Sequence, residues 1–239
     1  MLPRLSALKI KTDVQFSQEV IDESVAWIAA SPNREVGGKL VGLIHGQLDR
    51  TRPDLLGQVA ALRLDVIHHL DAGPAATRTA TYHRPDGNYQ EAVFRAIEAQ
   101  HPDVRHLGSW HSHHPNGLLR LSQGDIDGYT RDVNSPLHSH DLFLASLTAG
   151  SRGLASAQHF LFIRGLNEYF QIDPRSVRIV QSRNPYSGIV RSCRQTASGA
   201  VDRRPGPAAR TGGTRDVLWV ISWSWGLFLA ALKIGRAHV

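Results

Sequence analysis

The chain has 239 residues, 41% hydrophobic and 20% charged, an ordinary globular composition and enough for one domain with a real core plus an appendage. Its one cysteine, Cys193, excludes an internal disulfide, a Cys-rich zinc site and the Pro-Cys-x-x-Cys site of a deaminase, and it fits a reducing, cytoplasmic compartment. The net charge of +6 falls wholly in residues 191–239, where eight Lys and Arg face two Asp; residues 1–190 are balanced at 19 basic and 19 acidic, so the body gives no support for nucleic-acid binding.

Met1 to Ile10 has neither a long apolar core nor a small-residue cleavage pattern, so no secretory signal is expected. Leu8 to Phe16 alternates and predicts one edge strand. Ser17 is placed to cap a helix with Val20, Ile21, Ser24, Val25 and Ile28 at helical spacing up to Pro32. Glu35 to Ile44 is apolar and Gly-rich, a buried strand with close backbone approach. A polar loop over 46–58 precedes a strand from Val59 to Ile67, which His68-His69 should end as surface or loop residues.

Arg78 to His83 alternates again, and Asn88 to Gln100 reads as a helix ending before Pro102. Val104 to His113 predicts a strand. Ser122 can cap a helix running to about Val133, with Asp125 at its third position. Leu142 to Leu147 and His159 to Ile172 are further strands, the second broken at Arg164-Gly165-Leu166-Asn167. The alternation predicts an α/β fold, a mixed sheet sandwiched by helices.

From about Arg183 to Thr214, Ser, Arg, Gly and Pro dominate without periodicity, which predicts a disordered linker. Val217 to Leu232 is uncharged, holds three of the five Trp, and at sixteen residues falls short of a membrane span. Lys233 to Val239 looks like a translated sequencing adapter. The expected division is therefore a domain over 1–185 and a linker and apolar tail over 186–239 whose native status genomic sequencing would check, with no membrane partner expected for the body.

The chemistry concentrates in Trp110-His111-Ser112-His113-His114-Pro115 and Ser122-Gln123-Gly124-Asp125. Histidines two apart on a strand share a face. With a carboxylate from the following helix they would hold a tetrahedral zinc and leave one position open, the layout of a catalytic site. Glu35, on an apolar Gly-rich strand, is costly to bury unless it has a role, and it is the candidate proton-handling group.

This constellation resembles the JAMM/MPN (Mov34/PAD-1-like, JAB domain) zinc metalloprotease family: a Glu on an early strand, His-x-His-Pro, then Ser-x-x-Asp. The resemblance runs over roughly residues 8–175. It implies an MPN/JAB-type fold with a cytidine-deaminase-like layout and one Zn2+ per chain on His111, His113 and Asp125. It also implies Glu35 as the base and Ser122 as a donor to the oxyanion. His114 stands where the family has Pro, as in a bacterial-type branch, and leaves His113 and His114 as alternatives for the second ligand; strand alternation favours His113. The implied activity is hydrolysis of the isopeptide or peptide bond after the C-terminus of a ubiquitin-like protein, with that protein, its conjugates and neighbouring conjugation enzymes as partners. Gly108, Asn116 and the loop 114–121 are candidate walls of a groove for its tail. Processing of a sulfur-carrier-like precursor and a non-catalytic MPN scaffold are the competing readings.

Overall fold

The computed structural model describes residues 3–10, 12–46 and 62–202. Most of the loop expected over 46–58, the start of the strand expected at Val59 and the Trp-rich tail lie outside the described residues.

Among the described residues eleven strands and four α-helices form a mixed α/β fold. The strands are β1 Arg4–Ile10, β2 Asp13–Ser17, β3 Gly37–His45, β4 Arg63–Asp71, β5 Thr77–Arg78, β6 His83–Arg84, β7 Arg105–Ser112, β8 Leu142–Thr148, β9 Gln158–Ile163, β10 Glu168–Ile172 and β11 Val177–Val180. The helices are α1 Gln18–Ala29, α2 Gly87–Glu98, α3 Gln123–Asn134 and α4 Ser187–Asp202. Nine strands make one sheet in the order β1-β10-β9-β8-β7-β3-β4-β2-β11, and β5-β6 is a separate small hairpin. The parallel pairs are β1/β10, β7/β8, β2/β4 and β2/β11; the rest are antiparallel.

The single strand expected over Leu8–Phe16 is two strands. They lie seven inter-strand spacings apart in the sheet, roughly 34 Å if the sheet were flat. Yet Ile10 and Asp13 are three residues apart in sequence, a reach of about 11 Å. The sheet must curl to bring its two ends together.

Each helix is specified locally and held by one apolar face. Ser17 caps α1 by accepting from Val20 N, and Val20, Ile21 and Ile28 pack on Leu40, Leu64, Leu107, Trp110, Leu144 and Leu161. On the opposite sheet face, Ile126, Tyr129 and Val133 of α3 meet Phe143, Leu147, Phe160 and Phe162. Val93, Phe94 and Ile97 of α2 share a cluster with Val41, Leu70, Tyr186 and Val190.

That last cluster corrects the expected linker. From Ser187 to Asp202 the chain is helical, Tyr186 and Val190 are 2% exposed, and Arg194 Nε bonds Asp71 Oδ2 at 2.8 Å. Few apolar residues suffice here because two side chains fill a cluster already made by α2, β3 and β4. The packed unit therefore runs through Asp202, past the boundary expected at 185. Among the described residues no helix is long and apolar enough to cross a membrane.

Removing α4 uncovers this cluster. A chain ending at 185 should be less stable to urea than one ending at 202, by on the order of 3–5 kcal/mol for two buried side chains. Equal unfolding free energies would show that α4 only rests on the surface.

Candidate metal centre

The site forms where β3, β7 and α3 converge. Gly37 and Gly38 let β3 approach its neighbours: a Cβ on Gly37 would stand 2.3 Å from Trp110 O, and one on Gly38 would stand 2.2 Å from Leu70 O. Gly37 is the register partner of His111. Just before it, Val36 N donates to Ser112 Oγ at 3.1 Å, and Ser112 N donates to Val36 O at 2.8 Å. Glu35 N donates to Thr79 O beside the β5-β6 hairpin at 2.7 Å. Glu35 is thereby fixed from both sides and 4% exposed.

His111 is the last residue but one of β7 and His113 follows the strand, its N–H bonded to Thr148 O at the end of β8. As alternation predicted, the two rings share a face, with centroids 4.7 Å apart and Nε2 atoms 2.9 Å apart. His113 Nδ1 lies 3.0 Å from Leu118 O. A carbonyl only accepts, so Nδ1 carries the hydrogen. Burial keeps this ring neutral by lowering its pKa, so Nε2 presents a lone pair toward His111.

His114 is turned away. Its Nδ1 meets Ser112 Oγ at 2.8 Å and its Nε2 meets Ser31 O at 2.9 Å. It is His113 that joins His111 and Asp125 in a group whose ligand atoms all lie within 4.8 Å of one another.

Asp125 comes from the first turn of α3, in the β7-α3-β8 crossover whose strand ends are the usual place for ligands in open α/β sheets. Ser122 caps the helix in a capping box. Its Oγ accepts from Asp125 N at 3.2 Å, while its N–H and hydroxyl both donate to Asp125 Oδ2, at 2.8 and 2.7 Å. The carboxylate is aimed at the histidines, with Oδ1 3.5 Å from His111 Nε2 and Oδ2 3.9 Å from His113 Nε2. Burial acts to raise its pKa, but His111 and the Ser122 donors outweigh that and hold it at about 2, so it is anionic at any working pH.

Glu35 behaves oppositely. Oε1 lies 3.8 Å from His113 Nε2. Burial pushes its carboxyl up to about 6, with Asp125 adding to the shift and His111 opposing it. One carboxylate stays ionised and the other is poised to exchange a proton, a division of labour set by environment.

The donor chemistry fits a zinc ion. Two imidazole nitrogens and one carboxylate converge, the set that leaves an open tetrahedral position. The four residues Glu35, His111, His113 and Asp125 expected at the site are all brought together, and Ser122 is one bond away through Asp125. Gly108, a candidate groove wall, is buried inside the sheet, where its φ of 153° and closeness to Leu144 O serve strand packing. Trp110 is a core residue, 2% exposed.

Sequence reasoning missed Tyr129. Its hydroxyl is 2.9 Å from His111 Nδ1, and burial pushes the phenol well up, so it stays protonated. For His111 to offer Nε2 to a metal, Nδ1 must carry the hydrogen and the tyrosine oxygen must accept it. The signal was present: Asp125 and Tyr129 are four apart and share a face of α3. Tyr129→Phe should keep the fold and weaken zinc about 10–100-fold, the usual cost of losing such a partner. Unchanged affinity in a chelator competition would reduce Tyr129 to a packing residue.

No family model matches the chain, and no curated protein matches it. Among solved structures it is similar to the solution structure of a protein from Desulfitobacterium hafniense, at 16% identity over 71% of this chain and 94% of that one, with a TM-score of 0.41. It is also similar to the crystal structure of a JAB1/MPN domain protein from Archaeoglobus fulgidus, at 12% identity over 70% of this chain and 98% of that one, with a TM-score of 0.35.

Proposed function

We propose that this chain is a JAMM/MPN-type zinc metallopeptidase, cytoplasmic, that hydrolyses the isopeptide or peptide bond after the C-terminus of a ubiquitin-like protein. The observation that carries the reading is the buried Glu35 carboxylate 3.8 Å from His113 Nε2, beside the convergent His111, His113 and Asp125. A non-catalytic scaffold would not need a buried carboxylate beside that donor set.

His111, His113 and Asp125 would hold the zinc, which when bound makes a water acidic near neutral pH and polarises a carbonyl. Glu35 takes a proton from the attacking water as its oxygen bonds to the amide carbon. It returns that proton to the nitrogen as the C–N bond breaks, so the amine leaves neutral. Ser122 can give its hydroxyl hydrogen to the developing oxyanion only by releasing Asp125 Oδ2, a bond of 2.7 Å. A donor of that kind is typically worth about 3–4 kcal/mol in the transition state.

The substrate class rests on the motif resemblance, and the surface is compatible with it. Leu118 and Leu119, in the loop after His113, are 49% and 45% exposed. They lie on the carbonyl that orients His113, so a tail seated against them would also steady the site.

Two outcomes are expected. Asp125→Ala should lose one zinc relative to the wild type, by mass spectrometry of the metal content. Glu35→Gln should keep that zinc yet lose about 10²–10⁴-fold in cleavage of a ubiquitin-like protein carrying a C-terminal extension or a lysine-linked conjugate. Full activity in Glu35→Gln would remove Glu35 as the base, and a zinc-loaded wild type inert on both substrates would overturn the peptidase reading.

A further inference from the structure

A second cluster of metal-type donors lies on the other face of the sheet. Glu19 and Glu23 are four apart on α1, on one helix face. Opposite them on β4 are His68 and His69, 2% and 1% exposed, which corrects their expected place on the surface. Successive strand residues normally point to opposite faces. Here the register of β4 against β3 slips by one residue at Ile67, just before the pair, while His68 and His69 pair regularly with Val41 and Leu40; their rings nonetheless come together. The two rings are 5.9 Å apart, and both face Glu23: its Oε2 is 3.9 Å from His68 Nδ1 and 3.4 Å from His69 Nε2.

The cluster's hydrogen bonding is incomplete. Glu23 Oε2, His68 Nε2 and both ring nitrogens of His69 are buried without a hydrogen-bond partner. Native folds leave few such atoms, and each calls for an explanation, an ion being one. Asn184 Nδ2 donates to Glu19 Oε1 at 3.0 Å and to His68 Nδ1 at 2.9 Å. Its N–H groups thus stand where a cation would draw on the same two acceptors. The first-turn position of Glu19 suits the helix dipole, but Glu23, a turn further on, has no such reason to be there. Burial first, and then the charge of Glu19, raise the Glu23 carboxyl to about 7, with Arg194 acting the other way. Arg194 is already committed to Asp71, so the paired carboxylates lack a counter-charge of their own.

We propose that Glu19, Glu23 and His68, with His69 Nε2 as the neighbouring fourth donor, form a second divalent-metal site, of the imidazole–carboxylate class that suits zinc and similar first-row ions. The ligand atoms of the first three lie within 4.8 Å of one another. The site is independent of the first, because Trp110, which packs on His69 at 5.6 Å between ring centroids, points to the face opposite its neighbour His111. Binding ties α1 to β4 and displaces the Asn184 amide, so its role is structural, joining the helix inside the curl to the sheet around it.

The test is zinc content and zinc-dependent unfolding of the full chain in an Asp125→Ala background, where the first site is disabled. Asp125→Ala should still hold one zinc, and adding zinc to its apo form should raise its unfolding midpoint. Asp125→Ala/Glu23→Gln, nearly isosteric at the changed side chain, should hold none and show no rise. Should that double variant misfold, Asp125→Ala/Glu19→Gln removes the other carboxylate ligand and should bind at least tenfold more weakly. An apo Asp125→Ala protein that is folded and indifferent to zinc overturns the proposal, as does zinc retained undiminished in the folded double variants.

Discussion

The structure depends on the close approach of β3 to β7. The carbonyl of Trp110 in β7 fills the space where a side chain on Gly37 would stand, and that of Leu70 in β4 does so at Gly38, so a larger residue at either would push β3 off a neighbour. The contact sets the register that puts Gly37 opposite His111, and the paired bonds of Val36 with Ser112 then deliver Glu35 to the same end of the sheet. The two halves of the candidate site are 76 residues apart in sequence and meet across this contact, where Gly37 carries no side chain. Precision of placement matters here, since a proton-transferring carboxylate must come within hydrogen-bond reach of its water.

The third ligand is positioned by another means. Asp125 sits in the first turn of α3, and the N–H and hydroxyl of Ser122 hold its carboxylate. The same bonds that start the helix therefore aim the ligand, and Tyr129, one turn on, reaches back to His111. A site built from a helix terminus and a strand end inherits the rigidity of both, which a loop of equal length would not supply. It also means that Ser122 serves the helix and Asp125 before it serves any oxyanion.

How much was legible in the sequence follows from how local each signal is. The His-x-His pair, the Ser-x-x-Asp cap and the glycines beside Glu35 are short-range patterns, and each lies where periodicity placed it. The split of Leu8–Phe16 into β1 and β2 was hidden because alternation continues through the segment, and only the closure of a curled sheet separates the two strands. Helix α4 was hidden because Ser, Arg and Gly dilute its apolar face. Tyr186 and Val190 become core residues only because α2, β3 and β4 have already made a cluster for them.

The two histidine pairs show why spacing alone is an incomplete guide. His111 and His113 converge because a regular strand returns to the same face every second residue. His68 and His69 are adjacent and pair regularly with Val41 and Leu40, yet both rings reach Glu23 Oε2, at 3.9 and 3.4 Å. Read from the sequence, the second pair belongs at the surface or in a loop. Instead both are buried, and α1 faces them with two carboxylates. Spacing along β4 does not give this convergence, which becomes visible only when Glu23 of α1 is in place.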